Sequence, residues 1–323
     1  MKIIITGATG FLGKRACEIL KEQGHQIIAV GRNITKAPVG VQFVRADLTA
    51  PLPQEVWQGV EGVVHCAAKS SVWGQYSDFY LNNVTVTQIL AEQALKYGVK
   101  RFVYISTASV YFDFKSHKQI TENMPLPKHK ANHYAETKFL AEQVISELCK
   151  KGLPAVILRP RAIFGVGDSA LLPRLIKANN EKFFPEFTSY GGPLTDITYV
   201  DNVVEGIICA LKAPASCNGQ IYNITNGESV FIQQTAKYLV ESLGYTYKGK
   251  RVPFILAEIY AYLLEKWYRL FYKGKEPPFT VNSISLIAKD QTFSIDKARS
   301  ELGYKPRISV KEGLNYVIKN WKY

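Results

Sequence analysis

Paired cysteines, acidic residues and long uninterrupted apolar runs are all scarce in this chain, and each scarcity removes a class of protein. The five cysteines among 323 residues (Cys17, Cys66, Cys149, Cys209 and Cys217) are scattered and form no C-x-x-C pair. That spacing speaks against both a disulfide framework and a zinc site. Met1-Lys2 runs straight into Ile3-Ile4-Ile5 and a glycine turn, leaving no room for a charged, apolar and cleavable leader, so a reducing cytoplasm is the expected compartment. Acidic residues number 27 against 40 lysines and arginines, a formal charge of +13. Such a balance attracts an anionic cofactor, a polyanion or an acidic lipid surface. The basic residues are nevertheless spread along the chain, with no helix-turn-helix or zinc-finger module, and nucleic acid is not an expected partner.

What the chain does contain is alternation. Short apolar runs at 2–6, 26–30, 41–44, 62–65, 101–105 and 155–158 read as strands, and amphipathic stretches at 11–23, 78–97 and 134–150 read as the crossover helices between them. The pattern predicts an α/β fold: a Rossmann-type doubly wound parallel sheet over residues 1–160, with helices on both faces. Beyond Leu158 glycines and prolines punctuate the chain (Gly165, Gly167, Pro173, Pro185 and Gly191-Gly192-Pro193), as expected of a smaller, substrate-binding region over 161–323. This region is expected to be interleaved with the core, to which about 196–225 returns. The segment 252–271 is long and apolar, but Glu258, Glu265, Lys266 and Arg269 interrupt it. Burying those charges in hydrocarbon is too costly for a membrane span. A packed lid or core helix is the expectation, and a surface for a lipophilic substrate or a peripheral membrane contact is the alternative.

The first strand is followed at once by TGATGFLG, with glycines at 7, 10 and 13. In a strand-turn-helix of this kind Gly7 permits the tight turn, Gly10 lets backbone approach a pyrophosphate and Gly13 allows the helix to pack closely on the strand. The helix N-terminus then offers free N–H groups and a positive dipole end to the phosphates. After the second strand stands Arg32, where a site for unphosphorylated dinucleotide commonly carries an acid. A guanidinium there suits the adenosine 2′-phosphate, so NADP(H) is preferred over NAD(H), although a merely solvated arginine looks the same in sequence. Asp47 suits either the adenine amino group or a helix cap. The small residues after His65, namely Cys66, Ala67 and Ala68, let backbone pass close to a cofactor.

Tyr134 and Lys138 lie four residues apart on a predicted helix and so share a face. A lysine ammonium beside a phenol is expected to lower its pKa and let it exchange a proton with an alcohol or carbonyl. Thr107, at the carboxyl end of the 101–105 strand, supplies a hydroxyl to orient that oxygen; Ser106 and Ser109 are rivals for the role. Hydride would pass between nicotinamide and an oxygen-bearing carbon while Tyr134 carries the proton and Lys138 holds the nicotinamide ribose, with no metal required.

Taken in order, TGATGFLG, ADLT, VVHCAA, NNVTVT, YISTASVY, YAETK and LRPRAIFGVGD resemble the extended short-chain dehydrogenase/reductase superfamily, which includes the NAD-dependent epimerases and dehydratases. LRPRAIFGVGD, LTDITYVDNVV and the late apolar segment are most similar to its 3-beta-hydroxysteroid dehydrogenase and 2-alkyl-3-oxoalkanoate reductase branch. The resemblance places the catalytic hydroxyl, phenol and ammonium on Thr107, Tyr134 and Lys138. It places cofactor contacts on Gly7, Thr9, Gly10, Phe11, Leu12, Arg32, Asp47, Leu48, Ala67, Ala68, Asn83, Tyr134, Lys138, Pro160 and Ala162. It implies a homodimer and a lipophilic small-molecule substrate. Where nucleotide-sugar epimerases of the superfamily carry an arginine to grip a diphosphate, Thr195 stands before Asp196. An epimerase or dehydratase, and a non-catalytic dinucleotide-binding subunit, are the alternative readings.

Overall fold

In the computed structural model, residues 1–71, 73–181, 183–187, 192–272 and 275–321 are described; Gly191 of the glycine-proline punctuation lies outside them. Seven strands form the main sheet: β1 (Lys2–Thr6), β2 (Gln26–Gly31), β3 (Gln42–Arg45), β4 (Gly62–His65), β5 (Arg101–Ile105), β6 (Ala155–Pro160) and β7 (Ile221–Ile224). Their spatial order is β7-β6-β5-β4-β1-β2-β3, and each neighbouring pair is parallel. Parallel strands covered on both faces need apolar side chains on both, which is why β1 reads Ile3-Ile4-Ile5 without alternation.

Helices α1 (Phe11–Glu22), α2 (Val86–Lys96), α3 (His133–Lys150) and α4 (Val200–Lys212) cover the sheet. On one face α1 buries Gly13, Ala16, Cys17 and Leu20, a three-and-four spacing, and packs with α4 over Ile3, Ile5 and Val64. On the other, Leu90 and Ala94 of α2 and Ala141 and Ile145 of α3 cover Ile4, Val63 and Phe102. The Asn132 side chain accepts the Ala135 N–H at 2.9 Å and so starts α3 at the residue before Tyr134, a cap worth about 1 kcal/mol.

The single helix expected over 78–97 is broken. A short α-helical turn (Tyr76–Tyr80) passes into a π-helical turn (Leu81–Thr85) before α2. The π turn carries Asn83, whose side chain reaches both the loop after β4 and helix α3, and single π turns of this kind are frequent at functional sites. A second sheet in the order Ser229–Phe231, Leu194–Asp196, Gln291–Phe293 and His117–Ile120 joins the late chain to the segment after β5.

The segment expected to be a packed lid is helical and packs by one face, through Ala257, Ala261, Leu264 and Tyr268, while its other face is bare. Helix α5 (Phe254–Phe271) buries only Ala261, and large apolar side chains stand outward along it. Periodicity reports that one face is apolar without saying what lies opposite that face. Among the described residues no helix is long and apolar enough to cross a membrane.

Candidate active site

Parallel strands present their carboxyl ends along one edge, and ligands of such sheets collect there. Gly7 follows β1 at φ +66, and a Cβ on it would stand 2.7 Å from the Ala67 nitrogen. Its bare Cα therefore lets the turn lie against the loop after β4. A Cβ on Gly13 would meet the Gly7 carbonyl oxygen at 2.3 Å, so α1 can seat on this turn only with glycine there. Gly10 is the N-cap of α1 and has no side-chain cap, so the first-turn N–H groups are left for a ligand. Glycines that bring backbone together and an uncapped helix end fit a dinucleotide pyrophosphate. Thr9 packs its methyl against Gly31, while Phe11 and Leu12 join the apolar cluster around Phe164.

Behind the turn runs a continuous buried polar chain. Thr6 Oγ1 accepts the Ala67 N–H at 3.3 Å and lies 2.7 Å from His65 Nδ1. His65 Nε2 lies 2.9 Å from Thr87 Oγ1, which donates to the Asn83 carbonyl at 2.6 Å. Because the Thr87 proton is already used, His65 must donate from Nε2, and Nδ1 then accepts from Thr6. Burial pushes the His65 pKa down to about 3, so the ring is neutral. Asn83 accepts the Lys69 N–H at 2.7 Å and donates to Thr137 at 2.9 Å, which fixes the 66–69 loop against α3 one turn from Tyr134. Ala67 and Ala68 lie half-buried in that loop.

Thr107, Tyr134 and Lys138 come together. The Thr107 hydroxyl lies close enough to the half-buried Tyr134 phenol to pull its pKa down. The Lys138 ammonium, 2% exposed, donates to the Ile105 carbonyl at 2.5 Å and lies 4.2 Å from the Tyr104 ring centre. Of the rival hydroxyls, Ser106 turns away to donate to Glu142, and Ser109 accepts from Thr107 at 3.1 Å. The electrostatics depart from expectation. Burial raises the Tyr134 phenol above its ordinary value while the Thr107 hydroxyl pulls it back, and Lys138 is not among the groups that lower it. The lysine is itself desolvated, down to about 7, with Glu142 holding it up against burial. Removal from water outweighs mutual attraction at this pair.

At the flank of the edge, Arg32 and Asp47 are both exposed and close enough for the arginine to help hold the carboxylate below its usual range. The larger causes are the N–H and hydroxyl of Thr49, both donated to Asp47 Oδ1 in a tight turn. Asp47 is therefore a turn residue here. Leu48 packs into the apolar cluster beneath. Pro160 is buried at the end of β6, and Ala162 holds φ +42, a left-handed backbone that an alanine adopts only under constraint.

Several residues at the site escaped the sequence reading. Glu142 and Arg159 form a buried bidentate pair with contacts of 2.8 and 2.5 Å, and Arg159 also donates to the Tyr111 hydroxyl at 2.6 Å. The available signal was an acid four residues beyond Lys138 on the apolar stripe of α3. Arg161 is 7% exposed; its Nε has no partner, and an Nη lies 3.5 Å from the Thr195 hydroxyl. The cation absent from position 195 thus arrives from the turn after β6.

Residues 3–225 match the NAD dependent epimerase/dehydratase family. A 2-alkyl-3-oxoalkanoate reductase of Stenotrophomonas maltophilia is 32% identical, over 97% of each chain. A 3beta-hydroxysteroid-dehydrogenase/decarboxylase of Arabidopsis thaliana is 33% identical over 88% of this chain and 67% of its own. The solved UDP-glucuronic acid 4-epimerase of Bacillus cereus, in complex with NAD, superposes with a TM-score of 0.76 at 24% identity over 99% and 96% of the two chains, a likeness of fold. With its parallel sheet and glycine turn, this chain belongs to the NAD dependent epimerase/dehydratase family and is an NAD(P)-dependent oxidoreductase.

Proposed function

We propose that this protein is an NADP(H)-dependent reductase acting on a β-keto group, or in reverse on a β-hydroxy group, of a lipophilic sterol-like or 2-alkyl-3-oxoalkanoate-like substrate. The observation that carries the reading is the convergence of the Thr107 hydroxyl and the Tyr134 phenol beside the buried Lys138 ammonium. A nicotinamide held at this edge would supply the hydride for the carbonyl carbon, or accept it in the reverse direction. Tyr134 donates its phenolic proton to the oxygen, and the Thr107 hydroxyl, rotated away from Ser109, donates its single proton to orient that oxygen. Lys138 holds the ribose and, titrating near neutrality, can return a proton towards the phenol.

The substrate class rests on the names of the relatives and on Arg161. Burial holds the Arg161 guanidinium below its ordinary pKa despite the nearby Asp196 carboxylate, and its unpartnered Nε leaves a desolvation penalty that an anionic ligand group would further relieve. One arginine and the Thr195 hydroxyl suit a single carboxylate, as on a β-keto acid, better than a diphosphate. Purified protein should oxidise NADPH with a 2-alkyl-3-oxoalkanoate or a 3-oxo sterol, and Arg161→Met should raise KM for the acid far more than for its methyl ester. Conversion of a uridine diphosphate sugar with no added reduced cofactor would instead establish the epimerase reading, and cofactor binding without turnover of any of these would leave the binding-subunit reading.

A further inference from the structure

Helix α5 departs from an ordinary surface helix, whose outer face is polar: behind its inner apolar residues Ala257, Ala261 and Leu264 it carries a second apolar face turned outward. Ile255, Leu256, Ile259, Leu263, Trp267 and Leu270 are between 51% and 70% exposed, and at helical pitch they fall within one arc of roughly 120°. Six such side chains make a bare patch larger than soluble monomers ordinarily leave to water. The charges around it are sorted by sign. Lys266 shares the arc, Arg269 borders it, and Lys250 and Arg251 stand exposed just before the helix. The acids are largely engaged: Glu265 is 18% exposed, accepts the Val281 N–H at 2.8 Å and lies 4.0 Å from Arg269, whose own side chain is 61% exposed; Glu258 is half-buried, and Glu276 is paired with Arg174.

We infer that α5 docks the protein on an anionic bilayer surface, lying in the interface plane with the Leu263 arc among the acyl chains and its cations at the headgroups. The sign of the surrounding charge selects this occupant. Two copies meeting through the same face would enclose Lys266 and Arg269 of both in one apolar seam with no free acid in the arc to meet them, in chains of net charge +13 each. A lipid surface rich in phosphate esters turns those cations into attraction. The Arg269 guanidinium lies 5.3 Å from the ring centre of Trp73, in the loop that follows β4. Docking therefore brings the active-site edge of the sheet to the membrane, where a lipophilic substrate is dissolved; only this consequence rests on the reductase reading.

The test is flotation of the full chain with vesicles of phosphatidylcholine containing phosphatidylglycerol, beside vesicles of phosphatidylcholine alone. The chain should float with the anionic vesicles, weakly with the neutral ones, and release as salt is raised. Leu263→Ser with Leu270→Ser should lower the bound fraction at least tenfold, at two side chains' worth of lost apolar insertion, with an unchanged thermal melt because both side chains are exposed. A chain that stays in buffer with both vesicle types overturns the inference, as does a dimer that this double variant converts to monomer. Equal binding to both vesicles, indifferent to salt, overturns the anionic selection. None of these readouts depends on turnover, so failure to find a substrate leaves the inference standing.

Discussion

The carboxyl edge of the sheet carries two regions built on different terms. At its centre, from Thr6 through His65, Thr87 and Asn83 to Thr137, each polar side chain is buried and bonded to the next, and Lys138, Glu142 and Arg159 are buried beside them. At its flank Arg32 and Asp47 stand in solvent, with Asp47 bonded only to its own turn. A buried network constrains every member, because removing one strands the others without water. An exposed pair constrains nothing beyond itself. The polar network behind the proposed proton-transfer site is thereby part of the fold's stability, whereas the choice of nucleotide is separable from it.

The sharpest way to break this contrast is at the centre. Tyr134→Phe keeps the ring and removes the oxygen that faces Thr107, so turnover should fall roughly 10²–10⁴-fold, while the NADPH dissociation constant and the melting temperature stay near those of the native chain. A variant that still turns over at about the native rate would remove Tyr134 from the chemistry. Next in size, Glu142→Gln leaves the Arg159 guanidinium buried without its counter-charge. Urea unfolding should report a loss of about 3–5 kcal/mol, against a change within about 0.5 kcal/mol for Arg32→Ala at the exposed flank. Comparable losses at the two positions would erase the distinction.

The same contrast explains what was legible in the sequence. Strands at 2–6, 62–65 and 101–105 agree with the structure residue for residue, because a parallel strand covered on both faces must be an unbroken apolar run and glycines or helix caps end it. The glycine turn was legible because Gly7 and Gly13 answer to steric demands within a few residues. The Glu142–Arg159–Tyr111 network was not, since its partners lie 17 and 48 positions apart and meet only when α3 crosses β6. Nor was the phenol's environment: spacing placed Lys138 one turn from Tyr134, but burial, which decides the sign of both pKa shifts, belongs to the assembled core. The bare face of helix α5 escaped for the complementary reason, as apolar periodicity looks alike whether a core or open solvent lies opposite it.

Lys138 sharpens the comparison through pH. Burial takes its ammonium from an ordinary 10.5 down to about 7. Between those values the unfolded chain holds a proton that the native chain has released, so this group makes native stability rise with pH by roughly 1.4 kcal/mol per unit. Below about pH 7 both states are protonated and the full penalty stands; above about 10.5 it has vanished. Lys138→Met, which keeps the length of the stem without the charge, should therefore be more stable than the native apo chain at pH 7. The margin should shrink steadily towards pH 10, less about 1 kcal/mol for the lost hydrogen bond to Ile105. Urea midpoints at successive pH values measure it, and a margin that does not change with pH would mean the lysine keeps its charge in the core.

The smallest expected effect lies at the flank, in affinity alone. We propose that Arg32, exposed and not committed to a buried network, meets the adenosine 2′-phosphate, a charge-assisted contact worth about 1.5–3 kcal/mol. Arg32→Ala should then weaken NADPH binding roughly 10–100-fold, since every 1.4 kcal/mol is a factor of ten, and alter NADH binding by no more than about threefold. Because the side chain touches no buried partner, the thermal melt should not move, which separates a lost contact from a damaged site. Dissociation constants for both nucleotides, measured on the same preparation, decide the matter. Equal weakening of the two would mean that Arg32 stacks on adenine and does not read the phosphate, and NADP(H) preference would then have no residue to rest on at this edge of the sheet.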